Sequence, residues 1–148
     1  MIHKTAIIEP TAFIGEDTKV WAWVHVMPGV RIGRDCVIGE RVFIGKNVKI
    51  GNNCKIQTGA FIPEGVELGD FVFVGPNVTF TNVKHPSAYW KASEYEKTLV
   101  GNGAIIGANA TIVCGNTIGL EAIVGAGAVV TKDVRLRTLV KGVPAKCE

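Results

Sequence analysis

Residues 32–62 read IGRDCVIGERVFIGKNVKIGNNCKIQTGAFI, and every sixth residue of that stretch, Ile32, Ile38, Ile44, Ile50, Ile56 and Ile62, is isoleucine. The series runs back through Val26, Val20, Ile14, Ile8 and Ile2 and forward through Leu68, Val74 and Phe80 without a slip of phase. After a gap it resumes at Val100, Ile106, Ile112, Ile118, Val124 and Val130, so all twenty register positions are apolar. A second series lies four residues after each of these, from Ala6 through Thr18, Val24, Cys36, Cys54 and Val78 to Val134. Only Asn116 breaks its small or β-branched character. Glycine directly follows the register residue in eleven of the twenty hexads.

A period of six, with two inward residues flanking one outward residue, fits a short strand followed by a turn whose Gly, Asn and Asp tolerate positive φ. A 3.6-residue period cannot hold this register over eighty residues, which excludes helix for most of the chain. Three such units close a triangle of 18 residues. The expected fold is therefore all-β: a left-handed parallel β-helix of hexapeptide repeats, in which each coil is buried by its neighbours. Twenty hexads give between six and seven coils, about 32 Å of prism at the usual strand spacing of about 4.8 Å. Residues 1–148 are expected to form one such domain.

The 18-residue period also predicts which outward side chains stack. One column is Ile7, His25, Phe43, Phe61 and Thr79; a second is Phe13, Arg31, Lys49 and Glu67; a third is Lys19, Val37, Lys55 and Phe73. Only the first is free of formal charge. Stacked phenylalanines on a regular prism need a cover, and a closed oligomer supplies one, so a homotrimer packed through or beside this column is expected. The chain's own loop is the alternative cover. The same arithmetic sets Cys36 under Cys54, inside disulfide reach.

Composition narrows the class. The chain carries 16 Lys+Arg against 13 Asp+Glu, a net charge of +3, with no basic block of the kind that nucleic-acid binding requires. No apolar run reaches membrane-spanning length, and residues 1–10 lack the apolar core of a signal peptide, so a cytoplasmic protein with no membrane partner is expected. The four cysteines form no CxxC pair and read as reduced, structural thiols. His3, His25 and His85 have no metal-ligand spacing, which argues against a γ-type carbonic anhydrase on the same prism, and no metal is expected.

The repeat breaks once, between Phe80 and Val100, over the nineteen residues 81–99, TNVKHPSAYWKASEYEKTL. A long excursion from a rigid scaffold usually carries function. Its candidates are Asn82, His85, Trp90, Glu94 and Glu96, with the bland alternative of an insertion that covers an apolar face through Trp90.

These residues carry a resemblance. Residues 20–26 (VWAWVHV), 79–82 (TFTN), 98–115 (TLVGNGAIIGANATIVCG), 125–134 (GAGAVVTKDV) and 139–146 (LVKGVPAK) are similar to segments of the hexapeptide-repeat acetyltransferases. Within that group the chain resembles the bacterial nucleotide-sugar 3-amino N-acetyltransferases. It departs from them at Ala22, where a His is common, at Val83, where an Asp is common, and at His85, where an aromatic is common.

The resemblance implies an acetyl-CoA-dependent transferase, trimeric, with active sites between subunits, acting on a nucleotide-linked amino sugar for cell-surface polysaccharide such as lipopolysaccharide. By position it assigns Asn82 to hold the acceptor or the acetyl carbonyl, though an Asx turn also suits Asn82. His85 and His25 are candidate bases, Trp90 and Glu94 candidate substrate contacts. Coenzyme A would lie along Gly107, Ala108, Gly125 and Ala126, with Lys132, Lys141 or Lys146 near its phosphates. Two readings stay open beside this one: O-acetylation with a His base, since a hydroxyl needs one where a partly neutral amine does not, and a non-catalytic β-helix scaffold.

Overall fold

The computed structural model describes residues 1–92 and 95–148. Among them there is no helix, and the chain winds through three sheets of seven, six and eight strands, parallel throughout except for the last strand of the third. The first face carries Ile7–Ile8, His25–Val26, Phe43–Ile44, Phe61–Ile62, Thr79–Phe80, Thr111–Ile112 and Val129–Val130. The second runs from Phe13–Ile14 through Val66–Leu68 and Thr98–Val100 to Thr117–Ile118, and the third from Lys19–Val20 to Leu139–Lys141. This is the left-handed parallel β-helix expected from the repeat.

The outward columns stack as the 18-residue period requires: Ile7 pairs with His25, His25 with Phe43, Phe43 with Phe61 and Phe61 with Thr79. Both inward series are buried from Val20 to Val130, apart from Asn116, and form one continuous core. At the N-terminal end Ile2 is 49% exposed.

Corners turn through a residue with positive φ at every sixth position, among them Asp17, Gly29, Asp35, Asn47, Asn53, Gly59 and Asn77. Trp23, Arg41 and Phe71 adopt the same conformation, at φ 61°, 58° and 57°, although bulky residues disfavour it. The glycine that opens eleven of the corners has another cause. A Cβ on Gly33 would lie 2.7 Å from the carbonyl carbon of Gly51 in the next coil, so close coil stacking excludes any side chain there.

Three inward polar residues form a ladder along one corner. Thr18 Oγ1 donates to Gly33 O at 2.7 Å, Cys36 Sγ to Gly51 O at 3.1 Å, and Cys54 Sγ to Gly69 O at 3.1 Å. Each of the first two also accepts the amide of the residue 18 positions on, Cys36 N to Thr18 Oγ1 at 3.0 Å and Cys54 N to Cys36 Sγ at 3.4 Å. The thiols thus serve as hydrogen-bonding core groups, and both are free. The hydrogen bond to Cys36, together with burial, pushes the Cys54 thiol up from its ordinary 9.0.

Two irregularities interrupt the winding. Thr79 pairs with Thr111 and Phe73 with Ile105, a separation of 32 in each case, so the segment after Phe80 adds 32 − 18 = 14 residues to one ordinary corner. Near the end Ile118 pairs with Val134 and Val124 with Val140, a separation of 16, so the last coil is two residues short. Val134 therefore sits opposite a register residue, not in the second inward series where its spacing from Val130 would place it. Lys146–Cys147 then folds back antiparallel on Val140 and Lys141 and closes that end.

Of the four cysteines Cys36, Cys54 and Cys114 are buried and Cys147 is exposed. Titration of the folded protein with a chromogenic disulfide should therefore count one fast thiol, rising to four in denaturant. Two or more fast thiols in the native state would contradict the burial of the other three.

Candidate active site

The first face is where the aromatic residues gather. Phe43 and Phe61 stack with ring centres 5.3 Å apart and planes 13° from parallel, and His25 meets Phe43 edge-on at 5.9 Å and 85°. These geometries satisfy the ring quadrupoles and make a flat apolar floor. His25 Nε2 lies 2.9 Å from Glu9 Oε1, on the corner of the preceding coil. In the neutral ring that carboxylate fixes the proton on Nε2 and leaves Nδ1 as the acceptor.

The 14 added residues leave from the corner between the first and second faces, and their root is tied down. Cys114 N donates to Thr81 Oγ1 at 3.0 Å, and Glu96 N donates to Asn82 O at 3.0 Å. Asn82 Nδ2 donates to Glu64 O at 3.1 Å, in the coil below. A carbonyl can only accept, so this bond fixes which way the amide faces, and among the described residues Asn82 Oδ1 has no protein donor. Further out, Trp90 packs on Tyr95 with ring centres 4.9 Å apart.

The loop and floor enclose a cleft of about 590 Å³, lined by Met27, Phe43, Lys46, Phe61, Asn82, Trp90 and Tyr95 among others. A smaller recess of about 190 Å³ opens beside it, with Trp90 as common wall and Val83, Lys84, His85 and Glu96 around it. The structure thus brings Asn82 and Trp90 together in one cleft. His85 stands in the neighbouring recess, and His25 reaches the cleft only through its contact with Phe43. Glu94 lies outside the described residues.

The candidate cofactor residues gather on another corner, between the third and first faces. A Cβ on Gly107 would fall 2.5 Å from Ala126 N, and Gly127 N donates to Ala108 O at 2.8 Å, so Gly107, Ala108, Gly125 and Ala126 form a ledge across two coils. Stacking alone requires Gly107. Gly127, by contrast, has nothing within 4 Å of a Cβ position and turns at φ +70°, which leaves open space at the ledge.

Lys132 and Lys146 line one pocket of about 370 Å³ with Asp133, Arg135 and Cys147, at the C-terminal end of the first face. Ala145 N donates to Val129 O at 2.8 Å and anchors that pocket to the face. Lys141 instead pairs with Glu148 at 2.9 Å. Spacing alone had not singled out Glu9, Met27, Lys46, Tyr95 or Arg135. Glu9 lies 16 positions before His25, and neighbouring coils stack at such distances, so that offset was the available signal.

The chain matches the family described as bacterial transferase hexapeptide (six repeats) over residues 11–46 and 47–82, and that described as hexapeptide repeat of succinyl-transferase over 29–64 and 97–132. It is 49% identical over 145 residues to a dTDP-3-amino-3,6-dideoxy-alpha-D-galactopyranose 3-N-acetyltransferase from Aneurinibacillus thermoaerophilus, covering 98% of this chain and 75% of that relative. To the galactoside O-acetyltransferase of Escherichia coli it is 35% identical over 82 residues, 53% of this chain and 40% of the relative. Among solved structures, a GDP-perosamine N-acetyltransferase variant from Caulobacter crescentus in complex with CoA and GDP-perosamine superimposes with TM-score 0.62 at 29% identity, over 99% of this chain and 55% of that one. A galactoside acetyltransferase in complex with coenzyme A superimposes with TM-score 0.71 at 28% identity, over 81% of this chain and 64% of that one. The chain therefore spans about half the length of the perosamine enzyme.

Proposed function

The chain belongs to the bacterial hexapeptide-repeat transferases, and we propose that within them it transfers an acetyl group from acetyl-CoA to the amino group of a nucleotide-linked 3-amino-dideoxyhexose. The observation that carries this reading is the cleft itself: Asn82 and Trp90 close over the Phe43–Phe61 floor in a chain half identical, almost end to end, to an enzyme of that description.

Coenzyme A fits the residues present. Its phosphates are anionic, and Lys132, Arg135 and Lys146 outnumber Asp133 in the end pocket. Its slender arm suits the small-residue ledge of Ala108, Ala126 and Gly127, where open space meets backbone. When bound, it supplies an activated acetyl carbon and a thiolate leaving group. The acceptor amine titrates near the α-amino range of about 7.7 to 8, so part of it is neutral at pH 7 without a strong base. What the chain must then provide is orientation. Asn82 Oδ1, locked by the bond to Glu64 O, is an acceptor for an amine N–H and aims the nitrogen lone pair away from itself. The Phe43 ring in the cleft carries the apolar face of the sugar.

A second reading, O-acetylation, draws on the Glu9–His25 pair, whose free Nδ1 has the makings of a base. The two readings differ in which residue matters most.

We place the assembly as a homotrimer. Ile7 is 55% exposed and Phe61 42% exposed, an apolar strip that a neighbouring prism would cover. A single 1–148 domain working in the cytoplasm completes the proposal, its product destined for cell-surface polysaccharide such as lipopolysaccharide.

Release of free thiol from acetyl-CoA, measured across a panel of dTDP-, UDP- and GDP-linked amino and hydroxy sugars, tests the activity; turnover confined to hydroxy sugars would replace it with the second reading. Asn82→Ala should lower turnover about 10²-fold, on the scale of a lost orienting contact. His25→Ala and His85→Ala should then lower it on the order of tenfold, whereas loss of an essential base removes about 10² to 10⁴. By calorimetry coenzyme A should bind more weakly as salt rises, and Lys132→Ala should remove part of that salt dependence. Sedimentation equilibrium should give three chains, and Phe61→Asp should dissociate them by burying an unpaired charge.

A further inference from the structure

The root of the loop is closed by a ring of contacts around one corner. Asn82 Nδ2 donates to Glu64 O at 3.1 Å, and Glu96 N donates to Asn82 O at 3.0 Å. Asn82 is thus gripped twice, by its side chain from the coil below and by its main chain from the returning end of the loop. Those two segments meet at Gly65, the residue after Glu64. Its carbonyl accepts Thr98 N at 3.0 Å, and an ideal Cβ on it would lie 2.9 Å from Glu96 O. A main-chain oxygen cannot swing aside as the end of a long side chain can. Any side chain at residue 65 would therefore push the returning segment, and Glu96 with it, away from the coil that carries Glu64.

The corner by itself does not call for glycine. Asn47 holds the same corner one coil below at φ 60°, a conformation that asparagine tolerates. Gly65 turns further, to φ +102°, and it is Gly65 that the end of the loop crosses. We infer that Gly65 is a positioning residue for the reaction: lacking a side chain, it lets the two segments that grip Asn82 close on each other, and so sets where Asn82 Oδ1 stands in the cleft. The inference rests on the acetyltransferase reading above and deepens it. In that reading Asn82 contributes orientation alone, and a misplacement of about 1 Å from a change outside the reacting groups can cost about 10²-fold. Gly65 touches no part of the cleft lining, so its effect on turnover passes through Asn82.

The test is a double-mutant cycle read as thiol release from acetyl-CoA with dTDP-3-amino-3,6-dideoxygalactose. Gly65→Ala should lower kcat about 10- to 100-fold in the wild-type background and by less than about twofold in an Asn82→Ala background, with the affinity for coenzyme A within about twofold in both. Gly65→Asn, which tolerates a left-handed backbone but still carries a Cβ, should show the same loss and guards against a folding defect of the alanine variant. Gly103→Ala places the same backbone strain, at φ +71°, on a corner away from the loop, and should leave turnover within about twofold. Equal losses in the two backgrounds would mean that Gly65 merely supports the prism, and the assignment falls. It falls as well if Gly65→Asn turns over like the wild type, or if Gly103→Ala loses as much as Gly65→Ala. Hydrogen exchange reads the grip without turnover: the Glu96 amide should be slow in the wild type and fast in Gly65→Ala. A wild-type chain that releases thiol with no amino sugar, its Glu96 amide behaving as expected, overturns the acetyltransferase reading; an amide unchanged by Gly65→Ala overturns the assignment alone.

Discussion

Everything in this molecule follows from the contact each coil makes with the coil 18 residues on. Register residues such as Ile38 and Ile56 stack with essentially no exposure, and the backbone bonds between coils are short, Gly39 N to Ile56 O at 2.7 Å and Gly45 N to Ile62 O at 2.7 Å. Coils this close leave no room at the opening of a corner, which is why Gly33, Gly75 and Gly107 cannot carry a Cβ. They also impose a left-handed turn on whatever residue follows, even Trp23 and Phe71. Local preference yields at those two positions because two neighbouring coils determine the backbone there.

A scaffold that repeats so strictly can place chemistry only where repetition is relaxed. The 14-residue addition and the two-residue deletion are the two such places, and the two candidate binding regions lie at them. The addition does not loosen the prism. Thr98 N donates to Gly65 O and Gly115 N to Lys97 O, so the strand after the loop resumes its pairing at once, with the Thr98 hydroxyl buried and unpaired among the described residues as the visible imperfection of the splice. Asn82 therefore sits on rigid backbone, although it opens a loop. Precise orientation of a nucleophile asks for that combination.

The fold was legible because one physical rule, burial at a period of six, is written twenty times over; the outward columns followed by adding 18. The site was legible only in part. Asn82 and Trp90 stood out as polar and aromatic residues in the one break of the repeat, and they do meet. Periodicity could not show that Trp90 separates His85 from the cleft, because residues 83–95 have no register to count by. Nor could it show that Val134 shifts its place, since a two-residue deletion near a chain end leaves too few hexads to reveal a new phase. Glu9 meets His25 and Glu96 lies beside Gly115, each across to another coil, and neither contact lies within one repeat.

Charge is distributed unevenly along the prism, and the unevenness bears on the direction of a bound donor. The cations Lys132, Arg135 and Lys146 gather at the C-terminal pocket, whereas around the loop and first face Glu9, Glu64 and Glu96 are interspersed with Lys46 and Lys84. On the proposed reading the donor's negative phosphates are drawn to that pocket. From the Phe61 strand to the Val129 strand the first face climbs three coils, about 14 Å at the usual strand spacing. A donor whose phosphates rest in the end pocket must therefore extend along the ledge corner, against the winding direction, to bring its acyl group to the cleft. The small residues of that corner, Ala108, Ala126 and Gly127, are what such an approach requires, and a larger side chain at Gly127 would stand in its path.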